Sequence, residues 1–302
     1  MDMSVTIAGV KLKNPVVTAS GTCGFGEEYL DYYKPEELGA IAVKGLTLLP
    51  REGNPPPRIA ETPSGMLNSI GLQNPGVEMF VKKHLPRLKE RGATVIANIA
   101  GSSADDYARM TEILSDTDVD FIEMNISCPN VKQGGVHFGT DPRIAEEVVK
   151  AARLKSKKPL IVKLSPNVAD ITEIARAAEA AGADCLSMIN TLLGMRIDIE
   201  TRRPILKNNV GGLSGACVKP IAVRMIWQVR RITSLPIIGM GGVCTASDAI
   251  ELMIAGANAI AIGSAAFKKP DTPRAVIKGI ADYMKLKSIR DISDISGSII
   301  TY

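Results

Sequence analysis

Val119-Asp120-Phe121-Ile122-Glu123-Met124-Asn125-Ile126-Ser127-Cys128-Pro129-Asn130-Val131 starts as a mostly apolar run and breaks abruptly into polar residues. The first six residues read as a buried strand. The next six supply two carboxamides, a hydroxyl and a thiol, and Pro129 stiffens the backbone behind the thiol. A thiol at a strand's end among amides can act as a nucleophile or move a proton. A free cysteine is also commonly a small buried hydrophobe. The rest of the chain decides between these readings.

The same change of character recurs. Short apolar runs lie at 16–19, 40–43, 94–97, 119–124, 160–162, 185–189, 236–239 and 259–262. Segments with helical spacing lie between most of them: 77–91, 104–114, a helix opened by Asp141-Pro142, 170–181, 218–231, 246–255 and 272–286. Ser102-Ser103 offers a cap for the second. Pro142 sits in a first turn, where a missing N–H costs least. Strands alternating with helices imply a parallel sheet. Eight units imply an α/β fold of the (β/α)8 TIM-barrel type, spanning residues 1–302 as one domain. An open doubly wound sheet usually needs fewer strands. Residues 4–7 and 10–12, around Ala8-Gly9, predict an N-terminal β-hairpin. Two long connections, 45–76 and 190–216, leave strand C-termini, where a barrel carries its chemistry.

Composition sets the limits. The chain has 302 residues, with 23% charged, 4% aromatic and a net charge of +4. That charge is small and dispersed, so nucleic acid is not an expected partner. The five cysteines (Cys23, Cys128, Cys185, Cys217, Cys244) are widely separated. This excludes a disulfide framework and gives no metal-ligand spacing. No basic-then-apolar leader and no run of about 20 apolar residues is present, so cytoplasm is expected and membrane is not.

The residues that end the strands carry the functional signal. In order they are Ser20-Gly21, Lys44-Gly45, Asn98, Asn125, Lys163, Asn190-Thr191, Gly241-Gly242 and Gly263-Ser264. In a closed barrel they converge on one mouth. The set is amide-rich and cationic, because Lys44 and Lys163 meet no carboxylate at a strand end. Such a pocket suits a planar anionic ligand with hydrogen-bonding edges. Glycines after strands seven and eight suit a phosphate, and Gly211-Gly212-Leu213-Ser214-Gly215 adds backbone donors. Asn68-Ser69-Ile70-Gly71-Leu72-Gln73-Asn74 reads as a lid that alternates apolar groups with carboxamides. His84, on a lysine-rich helix, reads as solvated. His137 lies beyond Gly134-Gly135, and neither histidine is a candidate catalyst.

These motifs resemble those of the dihydroorotate dehydrogenases, flavoproteins of pyrimidine synthesis. The resemblance runs over nearly the whole chain. Asn14-Pro15, Ala19-Ser20-Gly21, Asn68 to Asn74, Asn125 to Asn130, Val162-Lys163-Leu164-Ser165-Pro166 and Ile189-Asn190-Thr191 carry it. Cysteine at 128 is similar to class 1; class 2 enzymes have serine there and an N-terminal membrane segment. Val131-Lys132-Gln133-Gly134-Gly135-Val136-His137-Phe138-Gly139 resembles the B-type catalytic subunit. The resemblance implies FMN in this chain, with FAD and a 2Fe–2S cluster in a partner subunit that passes electrons to NAD. A homodimer or a heterotetramer with that partner is implied; fumarate or a quinone remain open as acceptors.

For the site, the resemblance implies that Cys128 removes the C5 proton of dihydroorotate while hydride leaves C6 for FMN N5. Lys163 then sits near the flavin's pyrimidine ring, and Lys44 touches flavin and substrate. Ser20, Gly45, Asn98, Asn125, Ile189 and Gly215 join the flavin contacts. Gly241, Gly242, Gly263 and Ser264 hold its phosphate. Asn68, Ser69, Ile70, Gly71, Leu72, Asn125, Asn130, Asn190 and Thr191 contact the substrate, yielding orotate. Cys23 is read as structural. A dihydropyrimidine substrate, a Schiff-base lyase using Lys163 and a non-enzymatic phosphate-binding barrel are the alternatives.

Overall fold

The computed structural model of the chain describes residues 1–126 and 138–302. Cys128 and Asn130, with His137, lie outside the described residues. A hairpin of β1 (Val5–Ile7) and β2 (Val10–Leu12) precedes the first barrel strand, β3 (Val16–Thr18). Ala8 and Gly9 turn between them at positive φ. The remaining barrel strands are β4 (Ile41–Ala42), β7 (Val95–Ile99), β8 (Phe121–Asn125), β9 (Leu160–Lys163), β10 (Cys185–Met188), β15 (Ile237–Met240) and β16 (Ala259–Ile262). They form one parallel sheet of order β3-β16-β15-β10-β9-β8-β7-β4. Its two edges meet: Val17 bridges Ala40 in parallel, and Gly39 N donates to Val16 O at 2.7 Å. Thr18 completes the seam from inside, accepting at Oγ1 from Ala42 N at 2.9 Å.

The predicted TIM barrel is therefore present, with eight strands where the apolar runs placed them. Nearly every barrel-strand residue is buried, as parallel strands covered by helices require. The helices pack outside, and three start where the sequence placed them, the first of these at its predicted serine cap. Ser103 Oγ accepts from Asp106 N, Asp141 accepts from Arg143 N, and Asp170 from Thr172 N. The first predicted helix is continuous from Val77 to Glu90 but widens into a π turn over Phe80–His84. His84, expected to be solvated, is half-buried there: its ring stacks on Phe25 at 4.1 Å and its Nδ1 is buried.

The two long connections are not simple loops. β5 (Ile59–Thr62) and β6 (Gly65–Asn68) come from the first, and β11 (Leu192–Met195) and β14 (Val210–Ser214) from the second. They pair antiparallel in the order β11-β14-β6-β5. Between β11 and β14, β12 (Ile197–Asp198) and β13 (Arg203–Pro204) form a short ribbon. A four-stranded sheet drawn from two distant parts of the chain thus stands at the barrel mouth, with Leu67 and Leu206 buried in its own small core.

Candidate active site

A cavity of about 230 Å³ occupies the mouth of the barrel. Its walls include Ser20, Lys44, Gly45, Asn98, Asn125, Lys163, Ile189, Asn190 and Thr191 from the barrel strands. Asn68, Ile70, Gly71 and Leu72 line it from the first connection, and Gly215 from the second. Gly241, Gly242, Gly263 and Ser264 close the side toward the last two strands. Among the described residues, the structure brings every predicted site residue to this cavity except Ser69. Ser69 is fully buried behind the wall, where Asn54 Nδ2 donates to its hydroxyl and its carbonyl, both at 3.0 Å. It braces the lid from behind.

The polar groups are held by their elements. Ser20 Oγ donates to Val43 O at 2.7 Å, fixing the end of β3 against β4. A Cβ placed on Gly21 would stand 3.5 Å from Lys44 Nζ, so the ammonium lies along the end of β3. Lys163 is 5% exposed at the end of β9, in register with Asn125 and Ser187. Asn190 Nδ2 donates to Asn125 Oδ1 at 3.1 Å, and Tyr107 Oη donates to Asn125 O at 2.7 Å. Asn68 Nδ2 reaches Gly212 O at 3.3 Å and ties β6 to β14.

The segment between Leu46 and Val77 is tied down by Asn74, which is 7% exposed. Its Oδ1 accepts from Thr47 N and Gly76 N at 3.1 and 2.8 Å. Its Nδ2 donates to Thr47 Oγ1 and Leu72 O at 2.8 and 2.7 Å. Leu72, on the cavity wall, is held at φ 55°, a conformation that a non-glycine residue adopts only when its surroundings impose it.

Two groups on or under the wall escaped the sequence reading. Cys244 lines the cavity beyond Gly242, its thiol shifted upward by burial. Glu123 is the more consequential. It lies two residues before the end of β8 and is 2% exposed. Its Oε2 accepts from Asn98 Nδ2 at 2.5 Å and its Oε1 from Ser187 Oγ at 2.6 Å. Strands β8 and β10 are not neighbours, so these side chains meet inside the barrel. The carboxylate lacking at the strand ends therefore sits one layer below them. Period-two alternation from Asn125 would have pointed Glu123 inward. Cys23 is buried with its Sγ 3.1 Å from Thr18 Oγ1, and burial pushes its thiol up to about 12, which fits a structural role.

The glycine wall differs in kind from place to place. Gly242 has φ 81°, and a Cβ there would stand 2.7 Å from Lys219 Cβ and 2.9 Å from Lys219 N. The protein itself demands glycine at that turn. Gly263 meets no such limit. Its Cβ would find only ordinary contacts, Ala19 Cβ at 3.5 Å and Thr22 Cγ2 at 3.7 Å. The free space there belongs to the cavity.

The dihydroorotate dehydrogenase family model matches residues 2–284. The chain belongs to the dihydroorotate dehydrogenase family. It is 56% identical over 298 residues to a protein of Alkaliphilus oremlandii named dihydroorotate dehydrogenase B (NAD(+)), catalytic subunit, covering 99% of each chain. A protein of the same name from Bacteroides thetaiotaomicron is 54% identical over 299 residues, again covering 99% of both. A crystal structure of a dihydroorotate dehydrogenase from Eimeria tenella, in complex with ferulenol, superposes with a TM-score of 0.83 at 24% identity. It covers 98% of this chain and 88% of that one, and shows the shared barrel. Among the described residues, no helix is long and apolar enough to cross a membrane.

Proposed function

We propose that the chain oxidises (S)-dihydroorotate to orotate with FMN, as the catalytic subunit of an NAD-linked enzyme of pyrimidine synthesis. Its near-full-length similarity to relatives of that name, combined with a cationic, amide-lined cavity at the barrel mouth, is the observation that carries this reading.

The residues present fit the flavin. Asn98 Oδ1 is a fully buried oxygen with no hydrogen-bond partner among the described residues, and it belongs to a residue on the cavity wall. Buried polar atoms are rarely left so. The open space over Gly263 gives a phosphate room beside backbone N–H groups. Bound there, FMN supplies a hydride acceptor at N5. Asn98 and Ser20 would hold its ring system, and Gly241, Gly242, Gly263 and Ser264 its phosphate.

The chain's own groups then divide the work. Lys44 counters the substrate carboxylate. Asn68, Asn125, Asn190 and Thr191 offer donors and acceptors to the amide edges of the dihydropyrimidine ring, and Asn190 and Asn125 orient each other. Lys163 would hold positive charge beside the flavin's pyrimidine ring, where negative charge would develop as the hydride is accepted. Cys128 follows Asn125 by three residues and takes the C5 proton as thiolate; Asn130 joins the amides that hold the ring. The sheet β11-β14-β6-β5 limits water at the mouth. Electrons leave through a partner subunit carrying FAD and a 2Fe–2S cluster, and the catalytic chain acts in the cytoplasm.

The test is spectroscopic. The purified chain should show flavin absorbance, bleach on dihydroorotate but not on dihydrouracil, and reduce NAD only with its partner subunit. A colourless protein, or bleaching by dihydrouracil alone, refutes the assignment.

A further inference from the structure

Glu123 stands beneath the cavity without touching it, and the residue it holds is Asn98. Asn98 is fully buried on β7, directly in register with Glu123 on β8. An asparagine amide has two different ends, one donating and one accepting, and either can face a ligand. Here one end is taken. Nδ2 points to Glu123 Oε2 at 2.5 Å, leaving Oδ1 with no partner among the described residues. A Cβ placed on Gly45, another wall residue, would stand 3.0 Å from that oxygen. The oxygen therefore lies buried against Gly45, just behind the cavity wall that both residues help to form.

The carboxylate is itself braced. Ser187 Oγ donates to its other oxygen at 2.6 Å from across the barrel, and Ser187 is fully buried. Ser187 Oγ and Asn98 Nδ2 each have hydrogen to give, and the two oxygens of Glu123 accept one each. Two short bonds on one side chain resist inversion of the amide. The chain Ser187–Glu123–Asn98 thus transmits one instruction upward, that the amide shows an acceptor.

We infer that Glu123 is a positioning residue that fixes the Asn98 amide with its oxygen toward the flavin, so that the site selects a ring edge presenting N–H. On an oxidised flavin the group that meets this demand is N3–H, and a ring with only acceptors on that edge would be rejected. The inference rests on the flavin reading above and names the group that orders it.

The experiment is a double-mutant cycle on FMN affinity, measured by fluorescence on the full chain after its flavin is removed. Glu123→Leu frees the amide to invert and should weaken FMN binding roughly tenfold, the value of about one hydrogen bond. Glu123→Gln keeps an acceptor for Asn98 Nδ2 and should recover most of that loss. In the Asn98→Ala background neither change should weaken binding further. If Glu123→Leu does not fold, Ser187→Ala takes its place: it unbraces the carboxylate, with an expected loss of about threefold that also vanishes with Asn98→Ala. Losses of equal size with and without Asn98, or no loss with Asn98 intact, overturn the inference. A wild-type chain that takes up no FMN overturns the flavin reading along with it.

Discussion

Replacing Asn74 with alanine should loosen the lid at a single point. Four hydrogen bonds converge on its side chain, and alanine keeps none of them. The N–H groups of Thr47 and Gly76 lose their acceptor in a buried setting, as does Leu72 O its donor. A buried donor left unsatisfied costs about 1–3 kcal/mol. Two such groups, with some water entering to relieve them, give about 3 kcal/mol. A domain of this size loses about 2 °C of thermal midpoint per kcal/mol, so the expected fall is about 6 °C. Leu72 sits two residues away at positive φ and cannot keep that conformation without its carbonyl anchor. The kinetic signature is therefore a higher KM for dihydroorotate with a smaller effect on kcat. Differential scanning fluorimetry and steady-state assays on purified Asn74→Ala measure both. A midpoint within about 2 °C of wild type, with KM unchanged, would refute the reasoning that this side chain holds the lid.

Other expectations concern the cavity and the charges around it. Cys128→Ala should keep the bound flavin yet slow its reduction by dihydroorotate by about 10²–10⁴, as loss of a general base does, and near-normal stopped-flow rates would contradict the role. Gly263→Ala should leave the thermal midpoint almost unchanged, since its Cβ meets only ordinary contacts, while flavin occupancy measured by absorbance falls. Gly242→Ala should do the opposite first, lowering stability by about 1–3 kcal/mol through positive φ and the clash with Lys219, which denaturant titration will read. Burial alone would raise the Asp248 carboxyl, but hydrogen bonds from Lys219 Nζ, Cys244 N and Thr245 hold it below its ordinary value. A depressed folded-state value means stability that is present above pH of about 4 and lost as pH falls below it. Asp248→Asn should flatten that acid limb in pH-dependent melting curves.

The barrel was legible because its cause is local. Each strand is a short, buried, mostly apolar run, and most end where the polar mouth begins, as at Leu160-Ile161-Val162-Lys163; Asn98, read as a strand end, instead lies inside β7, which runs on to Ile99. The cap at Ser103 and the helix starts at Asp141 and Asp170 were legible for the same reason. The sheet over the mouth was not. Its strands hold Gly65, Gly194, Gly211 and Gly212, and their residue types show little apolar–polar alternation even though burial alternates along β6 and β11. The pairing that joins them, β14 with β6, depends on backbone partners more than a hundred residues apart. His84 was misjudged because its partner, Phe25, lies on another connection. Glu123 stood in plain view within the most informative stretch. What concealed it was the habit of reading strand ends alone; a charged residue one layer down gains meaning only when Ser187, two strands away, is seen to reach it.

The shared sheet at the barrel mouth has a consequence for how this protein can change over evolutionary time. Because β6 takes partners from both connections, neither can be remodelled alone. A new residue at Leu67 is tested at once against Leu213, its register partner 146 positions further along. Variation in the two segments should therefore be inherited in matched sets, and a graft of one segment from a relative should succeed only when the other travels with it.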